Sequence, residues 1–445
     1  MSTEILPDPN LSQPTEREGE LRKLLTSEDY WSIWFAVAIF AVILAGWVVG
    51  IPRVGQWTGN PLEAFEGVFG RLILLGVSLA TFTTIGVAVM KEDWRRYLAG
   101  FVFIYVLAVV SYLVAQQTAM RSWGLGYAIW ALAFGLLVAN TVGTPLWVLK
   151  GARSELFVKT GLVLLGGEIL FSEILDLGAP GLMVAWFVTP TVIFFMWLLG
   201  TRILRLQSKT LTIIIAAATS VCGVSAAIAV AAACRARKSE LTLGVGMTMI
   251  FTVLMMVAMP ALAKLMGLSE AVGGAWLGGT IDSTGAVVAA GAFLGDLAEK
   301  VAAVVKMIQN VLIGVVAFLV ALFWVTRVDR QPGAPRPGAM EIWYRFPKFI
   351  LGFAAASVVF SFILMPLLGH ATVSGTLDLS SSVRGWFFCL AFVSIGLESN
   401  FKELAKQLVG GKPIILYAVG QTFNVVLTLI MAWIAFGGLL FAPVQ

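Results

Sequence analysis

The sequence predicts an all-α polytopic membrane protein, and three features indicate this class: the composition, the apolar segments and two glycine-rich interruptions. Of the 445 residues, 59% are hydrophobic and only 12% are charged, whereas about a quarter of an average soluble domain is charged. Thirteen apolar segments alternate with polar loops, and two of these segments contain Gly, Ser and Thr near their centres. We therefore expect about 11 transmembrane helices and two re-entrant or broken helical hairpins, arranged as inverted repeats.

The apolar segments divide the chain into regions. Residues 1–30 are polar with no small-residue cleavage site after them, so we expect a cytoplasmic amino-terminal segment. Residues 31–120 hold additional transmembrane spans, residues 121–324 form a first half with both glycine-rich hairpins, and residues 349–445 form a second half. The Pro/Gly-rich residues 325–348 predict a flexible cytoplasmic linker. The segments lie at about 31–50, 71–89, 97–115, 126–140, 157–172, 182–200, 210–234, 240–262, 271–291, 301–325, 349–367, 385–398 and 414–437.

Cysteine, histidine and net charge exclude several classes of protein. The three cysteines lie in apolar segments, and the single histidine, His370, lies in a predicted loop. This pattern excludes a disulfide framework and argues against a Cys/His metal site, so we expect no cofactor and no resident metal. The net charge of +5 comes from basic residues in short loops, which is typical of a membrane protein rather than a nucleic-acid-binding surface.

Two similar motifs indicate an internal duplication. GGEILFSEI at residues 166–174 and GLESNFKEL at residues 396–404 share the pattern G-x-E-x-x-F-x-E-[I/L], at an offset of 230 residues. Each copy ends a predicted span and is followed by another apolar segment. An odd number of crossings between the copies would orient them oppositely, as in the inverted repeats of many secondary transporters.

The distribution of Lys and Arg tests whether the interrupted segments, 210–234 and 271–291, cross the membrane. If both re-enter, 23 basic residues lie on the cytoplasmic side and five lie outside, whereas full crossing gives 21 and seven. The positive-inside rule therefore favours two hairpins that open from opposite sides, with the span 240–262 between them. Two broken but crossing helices stay open as the alternative.

The first interrupted segment has TSVCGVSAA, residues 219–227, at its centre. A helix break at membrane depth is tolerated where the freed backbone groups face a cavity or a ligand, and helix amino-terminal ends favour an anion. Ser220, Cys222, Gly223 and Ser225 are therefore candidate substrate-binding residues. The structural alternative is a kinked helix that packs closely through its small residues.

The second interrupted segment, AVGGAWLGGTIDSTGAVVAAG, contains one acidic residue, Asp282. A carboxylate there is costly unless it is paired, solvated or protonated, so we interpret Asp282 as a site for a coupling ion. Its neighbours are candidate substrate-binding residues: Gly279, Thr280, Ser283 and Thr284. The alternative is a polar turn at a hairpin tip near water.

A single lysine follows in the next span. Lys306 lies in VVKMIQN, where helical spacing puts Gln309 and Asn310 on its face, and we count Lys306 and Asn310 as candidate substrate-binding residues. An intramembrane ammonium needs a counter-charge, either Asp282 or an anionic substrate. The equally weighted alternative is that the lysine side chain reaches the nearby membrane interface.

These segments together resemble the YeiH-type sulfate exporter family, also called UPF0324. The resemblance covers about residues 126–437 and includes FGLLVANTVG, TGLVLLGGEILFSEILDLG, TSVCGVSAA, GGTIDSTGAVVAAG and VVKMIQN. It implies inverted repeats with broken helices and elevator-like motion, as in the wider cation/proton antiporter and anion transporter grouping. The chain departs from the family pattern at Asp282 and Ser283, where a His-Glu pair is common, and at Gln309, where a basic residue is common.

The residues and the resemblance lead to one functional hypothesis. We expect a multi-pass protein of the cell inner (plasma) membrane that acts as a secondary active transporter of a small anion, such as sulfate or an organosulfonate. The resemblance implies export, by alternating access coupled to H⁺ or Na⁺. The expected partners are the anion and the lipid bilayer, with a homo-oligomer left open and no nucleic acid. The alternatives are a cation/proton antiporter and an anion channel; an aspartyl protease is not favoured because Asp282 has no intramembrane aspartate partner.

Overall fold

The fold is built from helices joined by short connections. The computed structural model describes residues 24–48, 50–122, 125–169, 171–328, 340–402 and 411–441, and this part of the chain contains no β-strand. The main helices are α1 Glu28–Leu44, α2 Phe69–Val89, α3 Trp94–Ala115, α4 Tyr127–Thr141, α5 Leu146–Gly151, α6 Ser154–Glu168, α7 Phe171–Leu198, α8 Lys209–Ser220, α9 Gly223–Ala233, α10 Lys238–Leu265, α11 Glu270–Thr280, α12 Thr284–Leu294, α13 Asp296–Phe323, α14 Phe349–Leu368, α15 His370–Glu398 and α16 Lys412–Phe436.

Eleven of these helices correspond to the predicted spans. Within the described residues, eight helices are long and apolar enough to cross a membrane, namely α2, α3, α7, α10, α13, α14, α15 and α16. Three further predicted spans form the shorter helices α1, α4 and α6, of 17, 15 and 15 residues. The prediction of an all-α polytopic membrane protein is therefore confirmed.

One predicted boundary is wrong. The sequence analysis begins a span at residue 385 and leaves His370 in a loop, whereas α15 is a 29-residue helix that begins at His370. Its first half contains polar residues, which lower the hydropathy below that of a typical span. Thr376 and Ser380 are nevertheless buried, because they lie one turn apart on the packed face of the helix.

The chain forms two compact units. Within the described residues, the hairpin unit contains α7 from residue 174, α8 to α13, and α16. The repeat-motif unit contains α1 to α6, α14 and α15. Most of the predicted amino-terminal segment, residues 1–23, and the centre of the predicted linker, residues 329–339, lie outside the described residues.

In the repeat-motif unit, the two motif helices α6 and α15 pack antiparallel. Arg384 Nε donates to Glu168 Oε1 over 2.9 Å, and Ser154 Oγ donates to Glu398 Oε2 over 2.8 Å. The two glutamates are 230 residues apart, and so are Ser154 and Arg384, so the two contacts are equivalent under the sequence repeat. This twofold arrangement is what an inverted repeat of the motif predicts. The second acidic side chain of each motif copy lies outside the described residues.

In the hairpin unit, α8 and α9 form a hairpin that returns to the end at which it began. Ser208, the N-cap of α8, donates through Oγ to Glu240 in the first turn of α10. Thr210 Oγ1, in the first turn of α8, donates to the other oxygen of the same carboxylate over 2.8 Å. The start of α8 therefore lies beside the start of α10, which follows the end of α9. This geometry is that of a re-entrant hairpin rather than a crossing helix.

The helices α11 and α12 form the second hairpin. Glu270, the first residue of α11, accepts hydrogen bonds from the Leu297 and Ala298 amides over 3.0 and 3.3 Å, in the first turn of α13. Because α12 leads directly into α13, both ends of this hairpin lie together. The first hairpin opens at the start of α10 and the second at its end, as the prediction of two re-entrant hairpins requires.

This topology gives a labelling prediction. We expect cysteines at Gln207 and Arg237, in a background without native cysteines, to resist an impermeant thiol reagent applied from outside. A cysteine at Met266, which is 51% exposed, should react readily. Labelling is measured on intact cells, with permeabilised cells as the control for reactivity. Reaction of only one of the first two positions would contradict the hairpin, because a crossing segment would separate them.

Candidate functional site

The two hairpin tips meet within the hairpin unit. Tip 1 is residues 221–222, between α8 and α9, and tip 2 is residues 281–283, between α11 and α12. The Gly223 amide donates to the Asp282 carbonyl over 2.6 Å, and Cys222 Sγ lies 4.0 Å from Thr284 Oγ1. The carboxyl ends of α8 and α11 and the amino-terminal ends of α9 and α12 therefore meet at one place, beside the middle of α10.

Gly223 permits this close approach. A Cβ atom at residue 223 would overlap Thr248 Cγ2 on α10 and would lie 3.4 Å from Asp282 Cβ. The backbone at Gly223 does not have a positive φ, so the glycine is needed for space and not for a left-handed conformation. The absence of a side chain at Gly223 therefore allows tip 2 and α10 to contact tip 1.

Lys306 joins the two tips from α13. Its ammonium donates to the Val221 carbonyl over 2.6 Å, the Ile281 carbonyl over 2.8 Å and Gln309 Oε1 over 2.7 Å. Val221 and Ile281 cap the carboxyl ends of α8 and α11, where each helix presents a partial charge of about −0.5. Lys306 is 1% exposed, so it does not reach the membrane interface, and its three N–H groups are all in use.

Gln309 satisfies one further carbonyl at the end of α8 and one at the end of α11. Its Nε2 donates to the Ser220 carbonyl over 2.9 Å and to the Gly279 carbonyl over 3.1 Å. Ser220 and Gly279, two candidate substrate-binding residues, therefore contribute main-chain carbonyls to the structure of the tips. The Ser220 hydroxyl donates within its own helix, to the Ala216 carbonyl over 2.7 Å.

The sequence analysis missed a polar face on α16. Asn424 Nδ2 donates to the Thr219 carbonyl over 3.0 Å, and Gln421 Nε2 donates to the Thr280 carbonyl over 3.2 Å. These carbonyls belong to the last turns of α8 and α11, where they have no partner within their own helix. The side chains of α16 therefore satisfy the carbonyls that the side chains of α13 do not bond. The face is recognisable in hindsight by its spacing of four, three and four residues: Tyr417, Gln421, Asn424 and Thr428.

Asp282 lies in tip 2 and is 1% exposed. Its Oδ2 accepts a hydrogen bond from the Tyr417 hydroxyl, whereas its Oδ1 has no hydrogen-bond partner among the described residues. Lys306 donates to carbonyls of both tips and not to this carboxylate. The carboxylate is therefore buried without a directly bonded cation, which is costly at membrane depth if it is ionised.

The amino-terminal ends of α9 and α12 lie side by side. Cys222 caps α9 and Thr284 begins α12, so their 4.0 Å contact brings the two helix ends together. Asn310 Nδ2 donates to Thr284 Oγ1 over 3.0 Å, while Ser225 is exposed and Ser283 is partly exposed. Two positive helix ends with nearby hydroxyl groups are suited to an anion.

Comparison with known proteins identifies relatives over most of the chain. The family model described as Conserved hypothetical protein 698 matches residues 99–417. A UPF0324 membrane protein of Rhodopirellula baltica is 50% identical over 391 residues, which cover 87% of this chain and 72% of that protein. One of Nitratidesulfovibrio vulgaris is 53% identical over 370 residues, 82% of this chain and 64% of that protein, so this chain spans less than two thirds of it.

A more distant relative matches nearly end to end. The UPF0324 membrane protein of Nitrosomonas europaea is 28% identical over 480 aligned positions, which cover 93% of this chain and 96% of that protein. No solved structure matches the chain. The family resemblance predicted from the hairpin motifs is confirmed, and the chain belongs to the UPF0324 family of membrane proteins.

Proposed function

We propose that this membrane protein is a secondary active transporter of a small anion, such as sulfate or an organosulfonate, in the cell inner membrane. The observation that carries the proposal is the pairing of two helix amino-terminal ends, those of α9 and α12, at the centre of the hairpin unit. Their combined partial charge is about +1, which matches a small anion. An irregular backbone at membrane depth is also typical of transporter binding sites.

Lys306 strengthens this electrostatic argument. Its charge is placed on the carboxyl ends of α8 and α11, whose partial charges sum to about −1. With both negative ends neutralised, the helix ends beside the tips carry a net positive charge, from α9 and α12, whenever Asp282 is neutral. In this proposal Lys306 does not contact the anion. It stabilises the anion site indirectly, because it binds the carboxyl ends of α8 and α11 and neutralises their negative partial charges.

The hairpin arrangement supports alternating access. The two hairpins open at opposite ends of α10, so each tip is approached from a different side of the membrane. An anion held between the tips could be released to either side by a movement that exposes one tip at a time. We propose that Asp282, in tip 2, couples this movement to H⁺ or Na⁺.

Flux measurements in proteoliposomes test the proposal. Purified protein should accumulate sulfate or a small organosulfonate only when a pH or Na⁺ gradient is imposed, and empty liposomes should not. The same anions should raise the unfolding temperature more than chloride does at equal ionic strength. Cation exchange without any need for the anion would favour a cation/proton antiporter instead, and anion flux that never exceeds equilibrium would favour a channel.

Replacement of Asp282 tests its coupling role. Asp282→Asn keeps the size of the side chain but cannot change its charge, so we expect the loss of gradient-driven accumulation while anion exchange down its own gradient continues. Accumulation and exchange are measured separately in proteoliposomes. Asp296→Asn, at the exposed start of α13, is the matched control and should behave as wild type. An Asp282→Asn protein that still concentrates the anion would refute the coupling role.

A further inference from the structure

Four buried oxygens between tip 2, α10 and α16 have no hydrogen-bond partner among the described residues. They are Thr252 Oγ1, Thr280 Oγ1, Asp282 Oδ1 and Gln421 Oε1. The four residues are between 1% and 6% exposed. A buried polar atom without a partner costs about 1–3 kcal/mol, so four in one region call for an explanation.

The contacts of these residues bring them into one space. On α16, Gln421 Nε2 donates to the Thr280 carbonyl over 3.2 Å and contacts Met255 Sδ over 2.8 Å. One turn earlier on α16, Tyr417 donates to Asp282. The Asp282 carboxylate of tip 2 and the Gln421 amide therefore lie about one helical turn apart along the same face of α16.

Thr252 faces this space from α10. It lies one turn after Thr248, which packs at the Gly223 contact beside Asp282, and one turn before Met255, which contacts Gln421. Residues at this spacing share a helix face. Phe251 stacks on the Tyr417 ring at 4.5 Å and covers one side of the group.

We propose that Thr252, Thr280, Asp282 and Gln421 form a binding site for a monovalent cation, Na⁺. Hard cations take oxygen ligands at about 2.3–2.6 Å, which separates neighbouring ligand oxygens by about 3.5 Å or more, beyond a strong hydrogen bond. Oxygens that share a space yet do not bond one another are thus expected around a cation. One carboxylate with three neutral oxygens balances a single positive charge, whereas a divalent ion would leave a buried excess charge.

The site also provides a mechanism of coupling, a step that rests on the proposed transport function. An ionised Asp282 lies beside the amino-terminal end of α12 and competes with a substrate anion for its positive charge. A bound cation neutralises the carboxylate and leaves the helix ends to the anion. By thermodynamic linkage, each ion then increases the affinity for the other.

The test is a Na⁺ titration of the purified protein at constant ionic strength, with choline as the replacement cation and unfolding temperature as the readout. Na⁺ should stabilise the wild type more than K⁺ or choline. Thr252→Val removes one oxygen without changing the shape of the side chain, and should raise the Na⁺ concentration for half-maximal stabilisation about 10- to 100-fold. Asp282→Asn should abolish the response.

The matched control is Thr242→Val, on the exposed part of α10, where the hydroxyl bonds the Lys238 carbonyl over 3.0 Å. This control should keep the wild-type midpoint. The proposed Na⁺ site would be overturned if Na⁺ did not raise the unfolding temperature of the wild type more than K⁺ and choline do. It would also be overturned if Thr252→Val kept the wild-type Na⁺ concentration for half-maximal stabilisation. Anion accumulation driven by pH alone would then leave the transport proposal standing, whereas Na⁺ binding without anion flux would support the site and reject the transport.

Discussion

Lys306→Met should lower the unfolding temperature of the protein by on the order of 10 °C. The change leaves the Val221 and Ile281 carbonyls and Gln309 Oε1 without their buried donor, and it removes the positive charge from two helix carboxyl ends. The unfolding temperature of Lys306→Gln should lie between those of Lys306→Met and the wild type, because the neutral amide can donate some of the hydrogen bonds that the ammonium makes. Thermal unfolding of the detergent-solubilised variants measures the order of these three unfolding temperatures.

Lys300→Met is the control for this series. Lys300 lies near the start of the same helix and is partly exposed, so its replacement should change the free energy of unfolding by less than about 0.5 kcal/mol. A Lys306→Met protein as stable as wild type would contradict the role assigned to the carbonyl contacts. Reduced anion stabilisation in a Lys306→Gln protein of unchanged unfolding temperature would instead indicate that the lysine contacts the substrate.

Composition and charge patterning predicted the eleven long apolar spans and the two hairpins, but not every helix boundary. Apolar length identified the eleven spans, since each must cover the hydrocarbon core of a bilayer. The basic loop at Arg235, Arg237 and Lys238 indicated that the segment before it re-enters. The long helix α15 was predicted too short, because Thr376 and Ser380 are buried by packing against other helices, which local hydropathy does not record.

The site was predicted in part, and the missing part consists of contacts distant in sequence. Glycine-rich breaks indicated Gly223 and Asp282, and an intramembrane charge indicated Lys306. The main-chain acceptors of that lysine, 85 and 25 residues away, could not be predicted from spacing within α13. Tyr417 and Gln421 were missed because the helix α16 has no break and no charge near its centre, although its polar residues share one face.

Gly223→Val should reduce anion transport about 5- to 150-fold while the protein still inserts in the membrane. The side chain would overlap Thr248 Cγ2 and would push tip 1 away from tip 2, which separates the Gly223 amide from the Asp282 carbonyl. Overpacking of this kind costs about 1–3 kcal/mol, here at the point where the positive helix ends must stay together. Flux in proteoliposomes, at matched protein content, measures the loss.

A rescue experiment separates this steric cause from a general effect of losing a glycine. Gly223→Ala introduces the overlapping Cβ alone, and Thr248→Ser removes the Cγ2 atom that it meets while keeping the hydroxyl that bonds the Gly244 carbonyl. The double variant should therefore recover most of the flux that Gly223→Ala loses. Gly178→Ala, where a Cβ meets nothing within 4 Å, should transport as wild type. Normal flux in Gly223→Val would mean that tip 1 tolerates displacement and that the anion binds elsewhere.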